Sequence, residues 1–261
     1  MPSVAEHALE GRQVLVTRPA HQAAGQLRRL EALGAEPVLL PLLEIAPIDD
    51  TDAAACQAIK SRILDLDLYA GVIFISPNAA RIGADWIDQY WPQLPVGVQW
   101  LAIGAATAAT LEQAGIPARH VAGGYDSEAL LADTALQQVD GQRFLILRGE
   151  GGRELLADTL RARGASVDYA DLYRRRCPHY SAEVVQSTIF NPRLSVILIT
   201  SGMALENLLQ LAGDAPALLD TAIVVPSQRV AELARARGFN RIRTADGPDD
   251  ASMIRAIGPA D

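Results

Sequence analysis

One repeated pattern restricts what this chain can fold into. The stretch Gly141-Gln142-Arg143-Phe144-Leu145-Ile146-Leu147-Arg148-Gly149-Glu150 has a near-twin 130 residues earlier, Gly11-Arg12-Gln13-Val14-Leu15-Val16-Thr17-Arg18-Pro19-Ala20. Each copy passes from a short apolar run through an arginine and a breaker into an amphipathic stretch, the order of a buried strand, a turn and a helix. The same gapless shift superposes Leu30 on Leu160, Ala32 on Ala162, Gly34 on Gly164, Ala35 on Ala165 and Leu42 on Leu172. Later segments have earlier twins as well. Val196–Gly202 parallels Val72–Asn78, and Ala222–Val225 with Pro226-Ser227-Gln228 parallels Ala102–Ala106. Gly238 and Asp250 match Gly115 and Ser127. The expectation is an internal duplication: two similar α/β domains with parallel sheets flanked by helices.

Taken in order, Val14–Thr17 reads as the first strand, ended by Arg18-Pro19 because proline lacks a donor and disfavours helix before it. A helix over Ala20–Leu33 stops at Gly34, and a strand over Glu36–Pro41 leads into an extended connector, Pro41–Pro47. The pattern then predicts a helix Ala53–Leu66, a strand Gly71–Ile75, a helix Ala79–Tyr90 and a strand Trp100–Ile103. Gly104-Ala105-Ala106-Thr107 opens a helix to Gln113, Val121 sits on a short strand, and Asp126-Ser127-Glu128 starts a helix ending near Gln138. The second copy supplies strand Arg143–Leu147, helix Arg153–Arg163, strand Ser166–Ala170 and a second connector, Asp171–Pro178.

Composition narrows the function classes. A length of 261 residues suits two modest domains, and 49% apolar residues provide material for two cores. Aromatics at 5% leave little for base stacking, and a net charge of −8 argues against general affinity for nucleic acid or anionic membranes. Cys56 and Cys177 make no disulfide framework. Met1–Gly11 lacks a basic region followed by an apolar core, and no apolar run reaches membrane-spanning length, so a cytoplasmic protein is expected.

In open parallel sheets, ligands bind beyond the carboxyl ends of the strands. Those ends carry Thr17-Arg18, Ser76-Pro77-Asn78, Gly104–Thr107, Arg148–Gly152, Thr200-Ser201-Gly202 and Pro226-Ser227-Gln228. Serine and threonine there cap helices, and unpaired N–H groups at helix starts bind anions. Six such turns in two similar domains point to a ligand with several carboxylates or phosphates. Gly149-Glu150-Gly151-Gly152 lacks the third glycine of a dinucleotide fingerprint. No Walker loop or nucleophile elbow occurs, and His7, His21, His120 and His179 lack metal-ligand spacing. Arg174-Arg175-Arg176 beside Tyr173 reads either as a solvated strand or as positive potential for a polyanion.

These pieces together resemble the uroporphyrinogen-III synthase family over essentially the whole chain. The matching residues are Val16–Pro19, Phe74–Ala79, Ile103–Thr107, Leu147–Gly149 with Gly152-Arg153, Tyr173, Ile199–Ser201 and Val225–Ser227. The resemblance implies a discontinuous domain of about 1–40 with 179–261, a second domain of about 48–169, and a two-stranded connector acting as a hinge. It implies a hydro-lyase that cyclises the linear tetrapyrrole hydroxymethylbilane to uroporphyrinogen III, with loss of water and inversion of the last pyrrole, in haem, sirohaem and cobalamin biosynthesis. No metal or organic cofactor is implied. The partner is a small polycarboxylate tetrapyrrole, with a transient handover from the preceding pathway enzyme, and a monomer is expected.

By the same resemblance, Tyr173 is the candidate acid assisting departure of the hydroxyl, against the alternative of a packing tyrosine. Thr107, Ser76, Pro77, Asn78, Gly149 and Thr200 or Ser201 are candidate substrate contacts, and Ser227 stands where relatives often carry threonine. Arg18 and Arg148 either bind carboxylates or tie loops down. A paired-domain ligand sensor and a non-catalytic relative are the competing readings.

Overall fold

The computed structural model describes residues 8–120, 127–152 and 154–258. The chain opens with β1 (Gln13–Val16), α1 (Ala20–Ala32) and β2 (Glu36–Leu39). It continues through β3 (Glu44–Pro47), α2 (Ala53–Leu64), β4 (Gly71–Phe74), α3 (Pro77–Tyr90), β5 (Gln99–Ala102), α4 (Ala105–Gln113) and α5 (Ser127–Leu131). Next come β6 (Arg143–Gly149), α6 (Leu155–Ala162) and β7 (Ser166–Arg176). The last part holds α7 (Ala182–Ile189), β8 (Leu194–Leu198), α8 (Gly202–Ala212), α9 (Pro216–Leu219), β9 (Ala222–Val225), α10 (Gln228–Ala236), β10 (Ile242–Thr244) and α11 (Asp250–Arg255).

Two compact units result. The first combines the described residues up to Glu44 with those from Arg176 onward, and the second is Ile45–Arg175. Each has a five-stranded sheet, ordered β10-β9-β8-β1-β2 in the first and β3-β7-β6-β4-β5 in the second. The orders correspond strand for strand from β2/β7 through β1/β6 and β8/β4 to β9/β5. A lone parallel bridge, Leu101 to Arg119, stands where the second unit would place its β10.

The central strands are short and apolar on both sides because helices cover both faces. In the second unit Val72, Phe74, Leu145 and Leu147 pack under α2 and α3. Their alternates Ile73, Phe144 and Ile146 pack under α5 and α6. In the first unit Leu15, Ile197 and Ile199 face α7, α8 and α10, while Val14, Val16 and Leu198 face α1 and α11. Each such fully buried side chain contributes roughly 1.5–3 kcal/mol of transfer free energy. Helix starts follow capping chemistry: the side chains of Asp52, Ser76, Ser181, Ser201 and Asp249 accept from N–H groups of the first turn. Gly34 and Gly164 take φ of 82° and 89° at the ends of α1 and α6, a backbone state open to glycine.

Several expectations need correction. The strand expected to stop at Ala170 continues to Arg176, because Leu172 and Tyr173 are buried and β3 lies beside it in the sheet. The helix expected to reach Gln138 ends at Leu131 and is followed by a single 3-10 turn, Thr134–Leu136. Helix α6 starts at Leu155, and α3 starts at Pro77, where proline fits the first helical position. Val121 and Asp126 lie outside the described residues.

The first twin pair keeps its register, with Leu15 and Leu145 on equivalent faces, but the later twins need re-registering. The capping serines pair Ser76 with Ser201, so Ile197 matches Val72, one residue away from the gapless sequence superposition. Likewise β9 matches Gln99–Ala102, and Ser227 matches Gly104 as the residue before a helix. A one-residue slip exchanges the two faces of a strand, so only this register places equivalent side chains under equivalent helices.

Candidate functional site

The first unit presents three of the expected turns at the carboxyl ends of its strands. Thr17 is fully buried and donates to the carbonyl of Leu198 at 2.6 Å, which ties β1 to β8. Arg18 is held by Asp250 at 3.0 Å and donates to the carbonyl of Pro248 at 2.8 Å. Its charge is therefore committed to the start of α11. Ser201 accepts from the N–H of Ala204 at 3.1 Å, with Thr200 half-buried before it. Ser227 occupies the capping position of α10 without a side-chain cap bond.

The second unit contains more of the expected residues. Ser76 accepts from the N–H of Ala79 and its Oγ lies 3.1 Å from the Tyr173 hydroxyl. Pro77 is exposed and Asn78 half-buried on the first turn of α3. Thr107 is 1% exposed on α4, a buried position rather than an open turn.

Tyr173 owes its direction to a bulge. Arg148 pairs with Asp171, but Gly149 pairs with Tyr173, so Leu172 is an extra residue in β7. Strict alternation would send Tyr173 to the face of Tyr169 and Asp171. The bulge sends it, with Leu172, to the α3 face, where it is 1% exposed. Its ring lies so close over Gly149 that a Cβ there would meet the ring edge at 2.5 Å. Gly149 is thus needed for ring clearance. Arg175 donates to the Tyr173 hydroxyl at 3.2 Å, and its guanidinium lies 5.2 Å from the ring centre.

Arg148 is the hub of a separate network. It donates to Asp171 and Glu154, each at 2.8 Å, and stacks 3.6 Å from the Tyr169 ring centre. Tyr169 donates in turn to Glu154. Burial opposes the arginine's charge, but the two carboxylates outweigh it and keep the guanidinium protonated more firmly than usual. The Tyr169 hydrogen bond, then that of Arg148, holds the Glu154 carboxyl below its ordinary range. Burial, helped by Glu154, pushes the Tyr169 hydroxyl up to about 12. Arg174 is likewise engaged, by Asp52 at 2.7 Å and by Glu150.

Beyond the ends of β4, β5 and β6 lies an open pocket of about 390 Å³. Ile75, Ile103, Ile146 and Leu156 give it apolar walls, and Arg148 and Arg175 stand among its polar groups. Its position follows the rule for parallel sheets, and its volume suits a small ligand or one arm of a larger one. Among the described residues no cluster of potential metal ligands occurs, and Cys56 and Cys177 are both free thiols. Glu150, Glu154, Tyr169 and Asp171 were not legible as partners in the sequence, since their roles depend on strands meeting across the sheet.

Residues 26–255 match the family model described as uroporphyrinogen-III synthase HemD. The chain is 33% identical to the uroporphyrinogen-III synthase of Salmonella typhimurium over 94% of its length and 99% of the relative's. It is 34% identical to that of Escherichia coli K12, with the same coverage. Its fold resembles a mutant uroporphyrinogen III synthase from Thermus thermophilus, with a TM-score of 0.56 at 18% identity over 94% of this chain and 96% of that one. It also resembles a uroporphyrinogen-III synthetase from Helicobacter pylori, with a TM-score of 0.58 at 12% identity over 94% and 97%. With the family model spanning most of the chain and full-length relatives above 30% identity, the protein belongs to the uroporphyrinogen-III synthase family.

Proposed function

We propose that this protein is a cyclising hydro-lyase that converts hydroxymethylbilane into uroporphyrinogen III. The observation that carries the mechanistic reading is the Tyr173 hydroxyl, 3.1 Å from the Ser76 Oγ and 3.2 Å from Arg175. The substrate's hydroxymethyl carbon is attached to an electron-rich pyrrole. Breaking its C–O bond leaves a cation delocalised over that ring, so the pyrrole supplies most of the driving force. The protein has to protonate the departing oxygen, which leaves as water, and orient the resulting cation toward the far pyrrole.

In this reading Tyr173 donates that proton. Its phenolic oxygen is then left beside two donors, Arg175 and the Ser76 hydroxyl. Ring closure at a carbon that already bears a substituent, followed by migration, inverts the last pyrrole. The proton released on rearomatisation returns to Tyr173, so the cycle closes with loss of one water. Ser76, Pro77, Asn78 and Gly149 serve as substrate contacts in the second unit, and Thr200, Ser201 and Ser227 offer the same kind of turn in the first. Thr107 acts by packing α4. Arg18, already paired with Asp250 at 3.0 Å, acts as a loop tie.

The test is incubation with freshly prepared hydroxymethylbilane and separation of the type I and type III isomers after oxidation. Type III product is expected without added metal or cofactor. Type I alone, the product of spontaneous closure without inversion, would overturn the proposal.

A further inference from the structure

The pocket of the second unit has two arginines at its rim, and their charges are not equally available. Arg148 faces Glu154 and Asp171, each at 2.8 Å, so the three groups carry a net negative charge. The Tyr169 ring also covers one face of its guanidinium. A ligand carboxylate arriving there would meet two carboxylates of the protein. Within the run Arg174-Arg175-Arg176, the outer pair are also matched: Arg174 with Asp52 and Glu150, Arg176 with Glu44. Arg175 differs. Among the described residues no carboxylate lies within ion-pair distance of it, and its hydrogen bond goes to the neutral Tyr173 hydroxyl. It is exposed, and it lines the pocket beside Ile75, Ile103 and Ile146.

We propose that Arg175, not Arg148, is the residue of this pocket that binds a substrate carboxylate, and that it is also the positioning residue for the Tyr173 hydroxyl. The inference rests on the tetrapyrrole reading and deepens it. An arginine without a carboxylate partner gains a charge-assisted hydrogen bond when an acetate or propionate arm enters, and loses no existing ion pair. The pocket's apolar walls would take the pyrrole edge that carries the arm. The guanidinium fork can serve both partners, holding the carboxylate with one nitrogen and Tyr173 Oη with another. Occupancy of the pocket would then couple substrate registration to the direction of the phenolic proton. Arg148 holds β6, β7 and the start of α6 together.

The test uses the full chain, with hydroxymethylbilane as substrate and uroporphyrin III as a fluorescent binding probe. The wild type must first form type III product; if it does not, the functional reading falls, and uroporphyrin binding by the wild type against Arg175→Met alone decides this assignment, equal binding overturning it. Arg175→Met is expected to raise KM, and to weaken uroporphyrin binding, by about 10- to 100-fold, the range of a lost hydrogen bond to a charged group. Arg175→Lys is expected to recover most of KM but not kcat, since an ammonium keeps the charge and loses the fork. In a Tyr173→Phe background, Arg175→Met is expected to change KM as before and to leave kcat unaltered, because the positioning role has lost its object. The assignment is overturned if Arg175→Met keeps wild-type KM and kcat. It is equally overturned if Met and Lys variants lose activity alike together with a fall in Tm, which would mark a structural role.

Discussion

Gly149→Ala is expected to damage the protein through one side chain, the Tyr173 ring. The added Cβ would lie 2.5 Å and 2.6 Å from two ring carbons and 3.0 Å from a third. Ordinary contact begins near 3.4 Å, so the ring has to move by about 1 Å. It cannot move freely, being 1% exposed and packed in the α3-side core. Gly149 has no positive φ, so the alanine backbone itself is unstrained. Overpacking of this kind costs about 1–3 kcal/mol, partly offset by the roughly 0.4–1 kcal/mol that Gly→Ala gains from the unfolded chain. At roughly 3 °C per kcal/mol for a unit of this size, Tm of the second unit should fall by up to about 8 °C. Ring displacement also breaks the contact with Ser76, so kcat should fall with stability. Calorimetry of Gly149→Ala, Tyr173→Ala and the double variant checks the argument. In the Tyr173→Ala background the clash is absent, and adding Gly149→Ala should be neutral or stabilising. An equal penalty in both backgrounds would refute the steric explanation.

Gly25→Ala is the contrasting case. Gly25 lies inside α1 and an added Cβ meets Asp250 at an ordinary 3.5 Å, so helix propensity should raise stability by about 0.5–1 kcal/mol, read as a higher Tm. Tyr173→Phe keeps the ring over Gly149 and should leave stability within about 1.5 kcal/mol of wild type while lowering kcat by about 10²–10⁴-fold; more than about a third of wild-type kcat remaining would exclude Tyr173 as the acid. Asp168 supplies a pH test. Burial pushes its carboxyl up, but hydrogen bonds from Arg143 and Tyr69, both at 2.9 Å, outweigh burial and hold it below the ordinary 3.8. A depressed folded value stabilises the fold above the unfolded value, and that contribution is lost as pH falls through the folded one. The Tm gap between wild type and Asp168→Asn should therefore be open at about pH 7 and close as pH falls below about 4; a gap independent of pH would contradict it.

The strand, turn and helix order could be read from the chain, because it depends on local facts. Short apolar runs such as Val14–Val16 and Ala222–Val225 have to be buried on both faces, and a serine before Pro77 or Gly202 meets unpaired N–H groups whatever surrounds it. The turns that hold candidate residues were legible for the same reason, since parallel strands deliver their carboxyl ends to one edge.

What the chain alone could not decide was every question of which side and which partner. The gapless comparison of Val196–Gly202 with Val72–Asn78 falls one residue out because residue similarity carries no record of side-chain direction. The bulge that turns Tyr173 toward Ser76 exists only as a mismatch between β6 and β7, and neither strand shows it alone. The choice between Arg148 and Arg175 depends on Glu154 and Asp171, which approach Arg148 from a helix start and a neighbouring strand. An arginine's role is set by the carboxylates within about 4 Å of it. Those distances are made by strand pairing across many residues of sequence, and only the folded chain contains them.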